Sequence, residues 1–335
     1  MGAKLKDVAA LAGVSVRTVS NVVSNAPGVA ARTREKVLAA IGETGYRPNL
    51  AARNLRQGRT GLIGLAIPEV GSPYFGELAG LLIEAAQERD WTVLIDQTAG
   101  QAERERRLLS GTDGHAVDGL IISPWALSPT DIGACAHGAP VVVLGEIDPH
   151  GTADHVAIDN VAAAREATAH LVARGSRRPA AIGLQPDLRN RTAALRLQGY
   201  HEALDAAGIP HSPAHEVPVA SLHREEGYRA MAALLDGDAP PDAAFCFTDE
   251  LALGALRAAR TRGLRVPEDL LLVGFDDIED GRYATPRLTT VAPDKERIAA
   301  GSLQLLADRI YGRLDGLPSR QVVVPHRLAV RESTG

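Results

Sequence analysis

The sequence predicts a small all-α head containing a helix-turn-helix, followed by a larger α/β body of two doubly wound lobes. Three observations carry this reading. Two short apolar-faced helical segments flank a glycine within the first 24 residues. Short apolar runs then alternate with helical stretches from residue 62 onward, the pattern of parallel sheets covered on both faces. That alternation continues in a second half, where 182–184 (Ile-Gly-Leu) echoes 63–65 (Ile-Gly-Leu).

The head is taken in chain order. Residues 5–12 read as a helix, with Leu5, Val8, Ala9, Leu11 and Ala12 on one apolar side. Gly13 suits a turn that needs positive φ, and Val14 plugs that turn into a core. Ser15 is placed to cap a second helix over 16–24, with Val19, Val22 and Val23 inward. Val16, Arg17, Thr18, Ser20 and Asn21 then face outward. These side chains match a major-groove reader: arginine bonds guanine, asparagine bonds adenine and valine meets a thymine methyl. Ser15, Thr18 and Ser20 suit phosphate oxygens. A third helix spans 32–44, with Val37, Leu38 and Ile41 inward, and Gly45 ends it. Pro48 forbids helix just before it, and Asn49 can cap a further short piece, 49–56.

Charge supports a polyanion partner for the head alone. Residues 1–60 hold ten basic and three acidic side chains, a formal +7 against −12 for the remainder of a chain whose net charge is −5. The polar joint 57–61 (Gln-Gly-Arg-Thr-Gly) is the expected domain boundary.

In the body, strands are expected at 62–67, 92–95, 119–123, 141–144, 156–158, 180–184, 243–247 and 270–273. Helices are expected at 75–89, 101–109, 195–207, 225–236 and 250–262. A last strand-like run, 321–325, is expected to return the chain to the second half. Two such lobes make a cleft at the carboxyl ends of their strands, where ligands of these sheets bind. Tyr74 and Phe75 follow the first strand, and Trp125 follows 122–124 (Ile-Ser-Pro). Asp276 follows the 270–275 run, and Arg196 lies near a helix start. A guanidinium fork suits paired hydroxyls or a carboxylate. Taken alone, Arg196 and Asp276 read more readily as a structural salt bridge between lobes than as ligand contacts, and the aromatics also as cleft-edge core.

Other classes find little support. The expectation is a chain without signal peptide or membrane span, acting in the cytoplasm, since no apolar run approaches the roughly 18 residues needed to cross a bilayer. Cys135 and Cys246 sit in apolar stretches and are expected to be buried, inert thiols. No Walker loop, nucleophile elbow or His-Glu-x-x-His is present, and the ten histidines lack metal-ligand spacing. No enzyme activity, cofactor or metal is expected. A transporter-feeding solute-binding protein would explain two lobes but leaves 1–60 without a use.

Specific motifs narrow the reading. They are Leu5-Lys-Asp-Val-Ala, Ala12-Gly-Val-Ser-Val-Arg-Thr-Val-Ser-Asn, Thr33-Arg-Glu-Lys-Val, Gly45-Tyr-Arg-Pro-Asn and Ala51-Ala-Arg-Asn-Leu-Arg. In order and spacing they resemble the lactose-repressor (LacI/GalR) family. Val273-Gly-Phe-Asp-Asp, Thr248-Asp-Glu-Leu-Ala-Leu-Gly-Ala and Arg287-Leu-Thr-Thr-Val extend the resemblance through the body.

The resemblance implies an all-α helix-turn-helix headpiece with hinge helix, then an α/β two-lobed periplasmic-binding-protein-like (type I) core of two doubly wound parallel sheets. The implied domains are 1–47 (headpiece), 48–60 (hinge helix and linker) and 61–335 (effector-binding and dimerisation core). Within the core, the N-lobe takes about 61–160 plus 292–320, and the C-lobe about 161–291 plus 321–335. Val16, Arg17 and Asn21 fall at base-reading positions, and Asn49 and Arg53 belong to the implied DNA-binding set. Leu55 falls where the family wedges a leucine into the minor groove; without the resemblance it reads as a core residue. Tyr74, Phe75, Ser123, Trp125, Arg196, Leu222, Thr248 and Asp276 are the implied effector contacts.

The partners implied are a near-palindromic operator, a second copy of the chain, and a small molecule that controls DNA affinity through lobe closure. A sugar or sugar derivative is expected as that effector, with a purine as runner-up. The absence of a leucine-heptad tail after 331–335 leads to an expectation of dimers, not tetramers. Three positions depart from the family pattern: Val29-Ala30-Ala31 lacks a hydroxyl cap for the third helix, Leu222 replaces an aromatic, and Thr248 stands where some members have asparagine.

Overall fold

Apolar spacing, glycine stops and β-branched runs translate into two compact units, divided between Gly61 and Leu62. The computed structural model describes residues 3–23, 27–46, 59–111, 117–135, 138–186 and 191–335. The expected hinge, with Asn49, Arg53 and Leu55, lies outside the described residues.

The first unit holds α1 (Leu5–Ala12), α2 (Val16–Val23) and α3 (Ala31–Thr44). Their inner faces meet in a core of Val8, Ala9, Val19, Val22, Val37 and Ala40, with Val14 packed against it. Gly13 has φ 62°, the left-handed value that lets α1 stop and α2 start at once. Ser15 Oγ accepts the Thr18 amide at 3.0 Å, capping α2. Ala30 begins α3 with no side-chain cap, a deficit worth about 0.5–2 kcal/mol relative to a hydroxyl or carboxylate there. Two leucines correct the expected core: Leu11 is 48 % exposed and Leu38 is 54 % exposed. The buried stripes run Val8–Ala9 and Val37–Ala40, with Leu5, Ala12 and Ile41 packed beside them. At 100° per residue, Leu11 and Leu38 fall outside those stripes.

The second unit has two six-stranded sheets. The first lobe contains β1 (Leu62–Ile67), α4 (Pro73–Gln87), β2 (Thr92–Gln97), α5 (Ala102–Ser110), β3 (Gly119–Ile122), α6 (Pro129–Cys135), β4 (Val141–Leu144) and β5 (Asp154–Ile158). The second contains α7 (Asn160–Ala173), β6 (Pro179–Leu184), α8 (Thr192–Ala207), β7 (Glu216–Pro218), α9 (Arg224–Leu235), β8 (Ala243–Cys246), α10 (Asp249–Thr261), β9 (Leu271–Phe275), α11 (Glu279–Tyr283) and β10 (Thr289–Pro293). The chain returns to the first lobe through α12 (Lys295–Ile310) and β11 (Gln321–Val324), then closes with β12 (His326–Ala329). Strand orders are β11-β5-β4-β3-β1-β2 and β12-β10-β9-β8-β6-β7. Every neighbouring pair is parallel except β10 with β12.

The expected lobe boundary at 321 is corrected. Gln321–Val324 pairs with β5, Gln321 opposite His155 and Val324 opposite Ile158, so this run belongs to the first lobe. Only β12, beyond Pro325, joins the second sheet. Buried Asp154 decides the matter. Its carboxylate takes both Arg309 Nε (2.9 Å) and the Arg320 amide (2.8 Å), drawing the end of α12 and the start of β11 to the β5 edge. The cysteines also differ from each other: Cys246 is buried, whereas Cys135 is only half-buried.

Candidate functional site

A cavity of about 350 Å³ lies between the two lobes, at the carboxyl ends of both sheets. Tyr74, Phe75, Ser123, Trp125, Arg196, Leu222, Thr248 and Asp276 all line it. The structure therefore brings the eight expected residues together around one space.

Arg196 is the most constrained of them. It projects from α8, and its side chain is buried. Its Nε donates to Asn160 Oδ1 at 2.8 Å, and Nη1 donates to the Phe247 carbonyl. The guanidinium lies 3.4 Å from the centroid of the Phe275 ring, a desolvated cation–π contact. Burial pushes the Arg196 pKa down, opposed by the charges of Asp276 and Glu146. Asp276 follows β9 with φ 110°, a strained value for a residue with a side chain. Burial raises its carboxyl to about 7 against the pull of Arg196 and Lys295. Arg196 and Asp276 both belong to the second lobe, so the reading of the two as a bridge between lobes is corrected.

The first lobe contributes the apolar wall. Tyr74 and Phe75 open α4 and meet edge to face, with centroids 5.2 Å apart. Phe75 and Trp125 are tilted at 59°, 6.4 Å apart. The Trp125 loop is held by buried Glu105, whose carboxylate accepts the amides of Trp125 (2.8 Å), Ala126 (3.1 Å) and Leu127 (3.2 Å). Ser123 follows β3 directly and lines the cavity. Thr248 caps α10 by accepting the Leu251 amide at 3.2 Å and donates to the Leu222 carbonyl at 3.4 Å. Its hydroxyl proton is thus used within the protein.

Sequence reasoning missed Glu146, Asn160 and Phe247. Each lies within two residues of the end of a strand, β4, β5 and β8 respectively. The rule that selected Asp276 selects them too, had it been applied to every strand. Glu146 accepts from Asn160 Nδ2, and burial raises its carboxyl to about 7 despite nearby Arg196. Beneath Asp276, Asp249 accepts Thr290 Oγ1 (2.6 Å) and the Ile278 amide (2.9 Å). Burial, reinforced by Asp276, holds its pKa well above the carboxylate range. Contacts that join the lobes beside the cavity include Asn160 Nδ2 donating to Glu146, His223 Nε2 at 3.3 Å from Glu69, the Glu279 amide donating to Glu77 at 2.8 Å and Lys295 Nζ donating to the Asp277 carbonyl at 3.1 Å.

These carboxyls set a pH dependence. The folded state holds Glu146 and Asp276 near 7, above their ordinary 4.5 and 3.8. It therefore binds their protons more tightly than the unfolded chain does. Their contribution to stability is complete below the ordinary values and is lost as pH rises through about 7. The urea midpoint is expected to fall between about pH 5.5 and about pH 8, and Glu146→Gln to flatten that fall. A midpoint that rises over this interval, and rises identically in the variant, would refute the assignment.

In the first unit, α2 turns its polar side outward. Ser15, Val16 and Arg17 are exposed, and Thr18, Ser20 and Asn21 are half-buried. Val16 is 47 % exposed. Among the described residues no group of histidine, cysteine or acidic side chains has a metal-binding arrangement. No helix among them is long and apolar enough to cross a membrane.

Comparison with known proteins decides the family. Residues 4–49 match the bacterial regulatory proteins of the lacI family, and residues 168–334 match the periplasmic binding protein-like domain. The transcriptional repressor CytR of Escherichia coli (strain K12) is 34 % identical over 334 residues, covering 99 % of this chain and 96 % of CytR. The chain belongs to the LacI family of transcriptional regulators. Two solved structures extend the match. The lac repressor dimer bound to operator and the anti-inducer ONPF superposes with a TM-score of 0.83 at 29 % identity, covering 100 % of this chain and 99 % of that one. The complex of the regulator CelR with cellobiose does so with a TM-score of 0.71 at 33 % identity, covering 99 % of each chain. This LacI-family protein is a DNA-binding transcriptional regulator with an effector-binding domain, and not an enzyme.

Proposed function

We propose that the regulator is a cytoplasmic repressor that grips a near-palindromic operator as a homodimer and is controlled by a sugar in the interlobe cavity. One observation carries the choice of ligand: a buried guanidinium with carboxyls of Asp276 and Glu146 around it, opposite an aromatic wall of Tyr74, Phe75 and Trp125. Fixed carboxyl acceptors beside a fixed guanidinium suit vicinal hydroxyls, and aromatic faces suit the apolar side of a pyranose. The CelR–cellobiose complex, at 33 % identity, supports the same class. Ser123 and Leu222 complete the walls. A ligand shifts the regulator between states only by its differential affinity for them. Lobe closure around a sugar, made or broken at Glu69–His223 and Glu77–Glu279, supplies such a difference.

The operator is read by α2. Val16, Arg17 and Asn21 touch base edges while Ser15, Thr18 and Ser20 meet phosphates. Asn49, Arg53 and Leu55 are assigned to the central minor groove. Arg17→Ala is expected to weaken operator binding about 10- to 100-fold per half-site, the worth of one good base contact, and to relax preference at one base of each half-site. Wild-type binding falls steeply with salt through counterion release. A gel-shift titration in which no palindrome outcompetes random DNA would overturn the reading.

The second copy is assigned to the face around Tyr283, which is 80 % exposed and adjoins a groove lined by Leu253, Leu256 and Ala284. The similar lac repressor structure is a dimer. Tyr283→Asp is expected to shift micromolar protein from dimer toward monomer in light scattering. A wild-type monomer under those conditions counts against the proposal.

A further inference from the structure

The polar lining of the cavity is unevenly charged. Glu69, Glu146, Glu250 and Asp276 line it, against Arg196 and His223. Arg196 is already engaged by Asn160, by the Phe247 carbonyl and by the Phe275 ring. An anionic ligand would therefore meet several carboxylates and one largely committed cation. Glu146 adds a second, independent observation. One of its oxygens accepts from Asn160 Nδ2. The other, Oε2, is sealed from solvent and has no hydrogen-bond partner among the described residues. A buried carboxylate oxygen left without a donor is unfavourable until a donor arrives. Glu146 stands on the first lobe, just past β4, while Arg196 and Asp276 stand on the second. A ligand donor reaching Glu146 is thus held from both lobes at once.

We infer that Glu146 sets the effector class by accepting a hydrogen bond from a ligand hydroxyl or ammonium, so that the site takes neutral or amino sugars and rejects uronic acids and sugar phosphates. This rests on the reading of the cavity as a sugar site. The selection follows from like-charge repulsion in a desolvated space, where a mispaired group is penalised far more than in water.

The test uses the full chain at pH 8, where the carboxyls are charged. Thermal shift ranks glucose, galactose, ribose, cellobiose, glucosamine, galactosamine, glucuronate, galacturonate, glucose 6-phosphate and ribose 5-phosphate, and calorimetry gives Kd for those that bind. The best neutral or amino sugar is expected to bind roughly 100-fold tighter than its anionic counterpart. Glu146→Gln, which preserves shape, is expected to narrow that ratio to under about tenfold, and Glu146→Asp to keep its sign. An anionic sugar that binds tightest, or a ratio that Glu146→Gln leaves unchanged, overturns the inference. If Asp276→Ala still removes the hit in the second case, the sugar-site reading stands and only the role of Glu146 falls. If no member of the panel binds, or the hit survives Asp276→Ala, the sugar-site reading falls and the inference with it.

Discussion

Asp276→Ala is expected to remove most of the thermal stabilisation given by the best effector while operator binding stays measurable. The argument starts from how the carboxylate is placed. Asp276 follows β9 with φ 110°, and its amide donates to the Val291 carbonyl at 2.8 Å. Its neighbour Asp277 is gripped by Arg331 (2.6 Å), Arg282 (3.4 Å) and Arg327 (3.5 Å). Asp249 holds the Ile278 amide on the other side. The turn is therefore secured by groups other than the Asp276 side chain, and alanine removes the carboxylate without freeing the loop. Losing a charged, buried acceptor from a ligand hydroxyl weakens binding about 100-fold when neighbouring groups are left unpaired. A ligand at 100 times its Kd stabilises by about 2.7 kcal/mol, so this loss removes most of the shift. A screen of sugars and nucleobases checks it. A hit of undiminished size in the variant would mean that the ligand sits elsewhere.

How much of this was readable beforehand depended on how local each determinant is. The turn of the head was legible because Gly13, Val14 and Ser15 act within a few residues of themselves. Leu11 and Leu38 were misplaced because a leucine one helical step from the stripe looks the same in sequence as one within it. Most strands of the body announced themselves as apolar runs. The edge strand β7 (Glu216–Pro218) and the closing β12 did not, since pairing rather than composition makes them strands. The 321–324 run was legible as a strand but not as a first-lobe strand. Its sheet is chosen by Asp154, far away in the chain. The site shows the same division. Asp276 and the aromatics at strand ends, and Arg196 near a helix start, were singled out as ligand contacts by the family resemblance. Glu146 carries the same strand-end signal as Asp276; what only packing reveals is that one of its oxygens lacks a partner among the described residues.

The largest effect on stability is expected from a single methyl group at Gly254. Helices α9 and α10 cross there with backbone against backbone. A Cβ on Gly254 would lie 1.9 Å from the Arg224 carbonyl oxygen and 2.7 Å from the Tyr228 nitrogen. The contact is reciprocal, since a Cβ on Gly227 would lie 2.1 Å from the Leu251 carbonyl oxygen. No flexible side chain can move aside, so the helices must separate. Overpacking of this kind destabilises by about 3 kcal/mol or more, which lowers Tm by roughly 6–10 °C for a unit of this size. Gly301→Ala is the matching control. It lies within α12 with nothing within 4 Å of the added carbon, and alanine there is expected to stabilise by about 0.5–1 kcal/mol. The displacement at Gly254 also reaches the cavity. Thr248 begins α10 by capping Leu251 and bonds the Leu222 carbonyl just before α9. Moving one helix from the other therefore moves the Leu222–Thr248 wall, and the effector Kd should rise along with the fall in Tm. A Gly254→Ala protein that melts with the wild type would show that α9 and α10 do not touch as described, and the shape of that wall would have to be rebuilt.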